Sequence, residues 1–476
     1  MAKLLTPDIC VIGAGSAGLS VAAAAAAFGV DVVLIEKGMM GGDCLNYGCV
    51  PSKALLAAAK SAAATRHAAD FGVKVSQPSV DFANTNDHVR RVIAAIEPHD
   101  SQERFEGLGV TVLRTAAAFA GPDTLVAGDI EIKARRFVIA TGSSALVPPI
   151  PGLDQVPYLT NESLFDLRDL PEHLAIIGGG PIGLEMAQAH RRLGSKVTVF
   201  EAQKALGKDD PDLAAVVLDR LRAEGVEILE ETGVEAIARS EAGVIVTART
   251  KEGAEIRTEA SQLLVATGRA PNVDGLGLEA AGIAFTRKGI DVDKGLRTSN
   301  RKIYAIGDVA GGLQFTHVAG YQAGLVIRSI LFRMPVTMSN EIVPWVTYTS
   351  PELGHIGLSE TEARARHGDG IKVLTADYAG NDRAQAEGKT LGRLKLIAGP
   401  RGRLLGADIA GDQAGEILNL LSLALSKNMT MKDLAGFIAP YPTLGELVRR
   451  AAISYYAEAP KNVWVRRVIA ILRKFG

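Results

Sequence analysis

Two stretches of this chain follow the same pattern, and few folds can use that pattern twice. DICVIGAGSAGLSVAAAAAAFGVDVVLIEK, residues 8–37, reads as a buried strand, a glycine-rich turn, an alanine-rich helix and a second apolar strand ending at Glu36. Gly13 permits the tight turn, Gly15 lets backbone N–H groups approach a pyrophosphate, and Gly18 lets the helix pack close to the strand. LAIIGGGPIGLEMAQAHRRLGSKVTVFE, residues 174–201, repeats the pattern with Gly178, Gly180 and Gly183. Glu36 and Glu201 stand at the same offset, 23 residues after Gly13 and Gly178. One GxGxxG is a weak signal, but two in βαβ context with matched acidic ends imply two dinucleotide sites. Glu201 would repel a 2′-phosphate and no arginine follows before Arg220, so the second site should prefer NAD to NADP. The apolar runs FVIATGS (137–143), LLVATGRAPN (263–272) and IYAIGDVAG (303–311) are expected to close the two sheets.

With 476 residues the chain exceeds the roughly 250–300 that one core supports, so about three domains are expected. The net charge of −1 gives no overall pull toward nucleic acid. Three cysteines cannot build a secreted disulfide framework, which points to the cytoplasm, and Cys10 reads as a small core residue. MAKLLTPDICVIG is not expected to be a signal peptide, because the glycine pattern follows at once. No apolar run reaches the ~18 residues needed to cross a bilayer.

The other two cysteines sit together in GGDCLNYGCVPSK, residues 41–53. On a regular helix five residues rise ~7.5 Å, which is too far for a disulfide. A bridge between Cys44 and Cys49 therefore needs a bent stretch, and Asn46, Tyr47 and Gly48 tolerate one. Two readings stand at this point: a pair of ordinary buried thiols, or a strained and easily reduced disulfide.

GGDCLNYGCVPSK is similar to the GGTCxNxGCxPxK stretch of the flavoprotein disulfide reductases, also called pyridine nucleotide-disulfide oxidoreductases. The resemblance runs nearly end to end, through both glycine motifs, ATGS, ATGRAPN, AIGD and YTSPELGHIGLSE near 348–360. It implies an α/β fold with two Rossmann-like dinucleotide-binding domains and a C-terminal α+β dimerisation domain. The expected spans are 1–148 and 271–340 for FAD, 149–270 for NAD(P), 341–460 for dimerisation and 461–476 for a basic tail. FAD is implied on the Gly13 unit, with Glu36 on its ribose and Asp308 on its ribityl chain. The resemblance further implies FAD contacts at Lys37, Gly42, Asp43, Lys53, Ala117, Thr141, Gly142 and His317. NAD(P)H is implied on the Gly178 unit, with Gly268 beside it. Cys49 would face the flavin and Cys44 the acceptor, as a redox-active disulfide in a homodimer. Lys53 and Glu185 match the family's ion pair beside the ring, where a cation stabilises reduced flavin and lowers a thiol pKa.

Three departures qualify this reading. The family's disulfide-reducing members carry a late histidine and glutamate, whereas APYPTLGE here puts Tyr441 at the histidine position and keeps Glu446. Histidine titrates near 6.5 and tyrosine near 10, so turnover of lipoamide or glutathione disulfide should be poor. A tyrosine there resembles mercuric reductase, but no cysteine follows Cys49, so metal transfer from a terminal cysteine pair is not expected. Asp43 replaces the usual threonine and is expected to cap the helix start, or else to assist a cation. In PKNVWVRRVIAILRKFG, a stripe of Trp464, Val468, Ile471, Leu472 and Phe475 lies among Lys461, Arg466, Arg467, Arg473 and Lys474. Such a helix suits an anionic membrane surface, an acidic partner, or docking on its own subunit. The expected function is NAD(P)H oxidation with electrons passed to a small thiol-reactive acceptor, a metal ion such as Hg(II) or Cu(II) ahead of a small disulfide. Lipoamide-dehydrogenase-like activity and a membrane-docked redox sensor are the alternatives. No resident metal and no nucleic acid are expected.

Overall fold

The computed structural model describes residues 3–76 and 78–475. The chain forms two compact units, one made of residues up to Gln203 with Val226–Ser339, the other of Lys204–Gly225 with Asn340 onward. Lys204–Gly225, inside the span expected for the NAD(P) domain, thus groups with the C-terminal residues.

The first unit opens with β1 (Ile9–Ile12), α1 (Ser16–Ala27) and β2 (Val32–Ile35), followed by α2 (Gly42–Asn46), α3 (Cys49–Arg66), β3 (Thr111–Leu113) and β4 (Arg136–Ile139). Then come β5 (His173–Ile177), α4 (Pro181–Leu193), β6 (Lys196–Phe200), β7 (Val226–Leu229), β8 (Gln262–Val265), β9 (Ile303–Ala305) and α5 (Thr316–Phe332). The first sheet has the order β9-β4-β1-β2-β3 and the second β7-β6-β5-β8, both wholly parallel. A parallel sheet is covered on both faces, so ICVI and VVLI are apolar throughout and fully buried rather than alternating. One face of the first sheet meets α1 and α5 through Val21, Ala22, Ala25, Ala323 and Val326. Its other face packs Cys10, Ile12, Phe137 and Ile139 against Phe119 and Leu125. Cys10 is a core residue, and burial pushes its thiol pKa up. The second sheet packs on an antiparallel meander, Thr232–Ser240, Gly243–Thr250 and Glu255–Ala260, through Ile177, Phe200 and Val246.

The second unit is built on an antiparallel sheet of β10 (Trp345–Thr347), β11 (Glu352–Gly357), β12 (Lys372–Asp377), β13 (Arg393–Ala398) and β14 (Leu404–Gly411), in the order β10-β11-β14-β13-β12. Helices α6 (Ala414–Ser426) and α7 (Glu446–Ser454) bury Leu418, Leu421, Leu447 and Val448 on it. A last helix, α8 (Val463–Leu472), buries nothing. The α/β architecture with two Rossmann-like sheets and an α+β C-terminal unit is the one the sequence predicts. No helix among the described residues is long and apolar enough to cross a membrane.

Candidate active site

The two glycine turns have the same geometry. Gly13 has φ +105° and a Cβ there would lie 2.3 Å from the Ala140 carbonyl oxygen; Gly178 has φ +116° and the same distance to that of Ala266. A Cβ on Gly18 would fall 1.9 Å from the Gly13 oxygen, and one on Gly183 2.0 Å from that of Gly178. These four glycines let strand, turn and helix meet. Gly15 and Gly180 are different, since a Cβ there would meet nothing closer than 3.9 Å and nothing within 4 Å respectively. Their bareness leaves the helix N-terminus open to an anion. Glu36 accepts from Ala14 N–H and Gly38 N–H, both at 2.6 Å, and Glu201 accepts from Gly179 N–H and Gln203 N–H at 2.7 and 2.8 Å. Each acid thus stands at the strand end beside its turn, where a ribose would be held. These residues fit two dinucleotides.

The turn motifs after β4 and β8 are tied to each other. Thr141 Oγ1 donates to the Asn272 carbonyl at 2.8 Å, and the Gly142 carbonyl accepts from Asn272 N–H at 3.0 Å. The Gly268 carbonyl accepts from Leu146 N–H at 3.0 Å. Ser143 donates to the Asp308 carboxylate. Burial pushes the Asp308 carboxyl up, while the Ser143 hydrogen bond and Arg269 pull the other way. His317 follows the first residue of α5 and stacks on Phe315, with 9° between the rings. Lys37 is exposed beyond Glu36, and Ala117 opens the strand Ala117–Gly121.

The cysteine stretch is bent where the sequence suggests. Gly42 has φ +59°, and a Cβ there would lie 2.8 Å from Gly15 Cα, so glycine lets α2 sit on the first glycine turn. Helix α2 ends at Asn46, its C-cap Tyr47 leaves the helix with φ −136°, and α3 begins at Cys49. The two cysteines therefore lie on different helices, and both are free thiols in this structure. Cys49 is the first residue of α3, where the unpaired N–H groups favour a thiolate. Its Sγ lies 3.5 Å from Thr316 Oγ1. A hydrogen bond from Cys44 holds the Cys49 thiol down at about 6, helped by Thr316 and Lys53 against burial and Asp43. The same bond, with burial, pushes Cys44 far up. Both shifts favour Cys49 over Cys44 as the thiolate of the reduced pair. Cys44 lines a groove of about 280 Å³ with Ser16, Leu19, Val50, Asp100 and Thr316. Burial pushes the Asp100 carboxyl up, opposed by Arg104 and His99.

Asp43 does not cap the helix, contrary to the sequence-based expectation. Gly41 is the N-cap and no side chain caps α2. The Asp43 carboxylate instead pairs with Arg269 at 3.0 Å and accepts from Asn161 Nδ2 at 2.8 Å. Arg269 also donates to the Ser143 hydroxyl and carbonyl, both at 2.7 Å. A Cβ on Gly48 would lie 2.7 Å from Asp43 Oδ2, so this network reaches into the turn between the cysteines. Lys53 meets Glu185 at 2.8 Å, joining α3 to α4, and Glu185 is 4% exposed rather than a surface residue. In the second unit Tyr441 is 70% exposed and donates to Asp382 Oδ2 at 3.0 Å, not to Glu446. The hydrogen bond to Asp382 pushes the tyrosine pKa up. Glu446 starts α7 with its Oε2 buried and without a hydrogen-bond partner among the described residues.

Sequence reasoning missed Ser16, Asp100, Asn161, Thr316 and Asp382. Arg269 and Ser143 stand inside the quoted ATGRAPN and ATGS motifs, so their presence was visible while their partners were not.

Residues 7–323 match the family described as pyridine nucleotide-disulphide oxidoreductase, and residues 343–452 match its dimerisation domain. The chain belongs to this family. A mercuric reductase of Streptomyces lividans is 35% identical over 465 residues, covering 95% of this chain and 97% of that protein. A dihydrolipoyl dehydrogenase of Bacillus subtilis is 33% identical over 455 residues, covering 94% and 98%. Among solved structures, the Cu(II) complex of the HOCl-induced flavoprotein disulfide reductase RclA from Escherichia coli matches with a TM-score of 0.82 and 31% identity, covering 92% of this chain and 98% of that one. The chain is thus a flavoprotein disulfide oxidoreductase of the mercuric reductase and lipoamide dehydrogenase type, a family that uses FAD and a nicotinamide cofactor.

Proposed function

We propose that this enzyme oxidises NADH and passes the electron pair through Cys44 and Cys49 to a small thiol-reactive acceptor, a soft metal ion such as Hg(II) or Cu(II) ahead of a small disulfide. Bound FAD would supply the two-electron step between nicotinamide and the cysteines. The turn Gly13–Gly18, Glu36 and Asp308 would hold it, and the turn Gly178–Gly183 with Glu201 would hold NADH in preference to NADPH. Each NADH oxidised opens one Cys44–Cys49 bond, enough to reduce one two-electron acceptor or two Cu(II) ions to Cu(I). Cys49 keeps its negative charge on the side of Lys53, while Cys44 delivers electrons and its proton into the groove. The enzyme works as a homodimer in which the Tyr441 hydroxyl helps to hold the metal ion near the neighbouring subunit's cysteines.

The observation that carries this reading is the state of Tyr441. With its hydroxyl proton held toward Asp382 and its pKa raised, it is no base at neutral pH. A leaving thiolate therefore lacks the proton shuttle that contributes ~10²–10⁴-fold in acid-base catalysis. A metal ion needs no such proton. The relatives' names support both this reading and its alternative, dihydrolipoyl dehydrogenase activity. Steady-state NADH oxidation measured with Hg(II), Cu(II), lipoamide, glutathione disulfide and quinones separates them. Turnover with a metal ion should exceed that with lipoamide roughly a hundredfold. Lipoamide turnover equal to or above it would overturn the proposal.

A further inference from the structure

Helix α8 carries apolar residues that the fold does not use. None of its residues is buried, and Trp464 is 72% and Phe475, just beyond it, 82% exposed. The core of the second unit reaches only as far as Tyr455. The helix is locally encoded all the same, since Asn462 accepts from the N–H groups of Trp464 and Val465 at 2.9 and 3.4 Å. At 100° per residue, Ile471, Trp464, Val468, Leu472, Val465 and Ile469 fill one continuous arc of the helix. Arg466 and Arg467 lie on the other side, with Ala470 and Val463 of the first turn between them, and Arg473 and Lys474 follow at the helix end. The Arg467 guanidinium lies 5.4 Å from the centre of the Trp464 ring, at the border between the arcs. From Ala459 onward there are five cations and no acid, while the whole chain carries −1.

We infer that α8 is an interfacial anchor that lays this enzyme on an anionic phospholipid surface, with the apolar arc in the acyl boundary and the arginines and lysine at the headgroups. Ten residues make a helix ~15 Å long, half the ~30 Å hydrocarbon core, so it lies in the plane of the surface and does not cross it. Helices this short are marginal in water, and a lipid surface supplies the apolar contact that the protein does not. Charge and domain order argue against a second copy. Packed on the α8 of a second copy, the helix would bring the same cations together, like facing like, and the matched dimerisation domain ends at 452, before α8. Anionic lipid attracts them, and with the rest of the chain net negative the tail alone is drawn to the surface. This inference is independent of which acceptor is reduced.

The test is co-sedimentation of the FAD-loaded, full-length enzyme with phosphatidylcholine vesicles, with and without phosphatidylglycerol. The enzyme should pellet with the phosphatidylglycerol vesicles at low salt and leave them at high salt. Arg466→Gln with Arg467→Gln should weaken partitioning roughly thirtyfold, and a chain stopped after Pro460 should remain unbound. Both variants should keep wild-type FAD content and NADH turnover. Absence of pelleting at low salt, or equal pelleting with pure phosphatidylcholine, would overturn the inference. So would dissociation of dimers in the stopped chain by velocity sedimentation, because the helix would then belong to a second copy.

Discussion

Cys49 begins α3 with Lys53 one turn on and the Cys44 thiol donating to it, so three features of one segment favour its thiolate. Its pKa of about 6 fixes the direction of a pH profile. In the reduced enzyme, alkylation by iodoacetamide should rise through pH 6 as the thiolate forms and fall away below it. Cys44→Ala removes the strongest contribution and should move the midpoint up. Asp43 acts in the opposite sense, its negative charge raising the Cys49 pKa, so Asp43→Asn should move the midpoint down. A midpoint unmoved by Asp43→Asn would remove Asp43 from the electrostatics of the turn. Gly18 offers a steric test. Its Cβ would sit 1.9 Å from a carbonyl oxygen, so Gly18→Ala should lose about 3 kcal/mol in denaturant unfolding and much of its bound FAD, read as flavin absorbance per protein.

At the scale of elements, the Lys53–Glu185 pair ties the cysteine helix α3 to α4, the helix of the second glycine turn. A hydrogen bond between charged groups is worth about 1.5–3 kcal/mol, and the 38% exposure of the Lys53 side chain puts this one at the low end. Glu185→Gln should slow flavin reduction by NADH about tenfold in stopped flow. An unchanged rate would confine the pair to a structural role. The two βαβ units could be read from sequence because their constraints are local: a glycine whose Cβ would strike a backbone oxygen must be glycine wherever the pattern occurs. The break at Tyr47–Gly48 was legible for the same reason. Asp43 was misread because its partners lie 118 and 226 residues away, and only the fold brings Asn161 and Arg269 to it. Local propensity then favours a cap, and the ion pair overrides it.

At the scale of the whole molecule, the family and the fold class followed from motifs spread along the chain, and the acceptor did not. In the proposed function acceptor choice would rest on Tyr441, which donates to Asp382, a residue in no quoted motif. The homodimer proposal makes a specific prediction about shared sites. Dimers mixing a Cys44→Ala subunit with a Tyr441→Phe subunit contain one site with both residues intact if the site is shared between subunits, and none if it is not. Such heterodimers, purified with two tags, should show half the wild-type turnover; turnover no better than the Tyr441→Phe homodimer would place the site within one chain.

The division of labour between the cysteines is the central claim, and one optical measurement addresses it. A thiolate against oxidised flavin gives a long-wavelength absorbance band. In the FAD-loaded Cys44→Ser enzyme, with Cys49 unable to form a bridge, the band should be present at alkaline pH before any NADH is added, and in Cys49→Ser it should be absent. A band in Cys49→Ser, or none in Cys44→Ser, would contradict the assignment of Cys49 to the flavin and Cys44 to the acceptor.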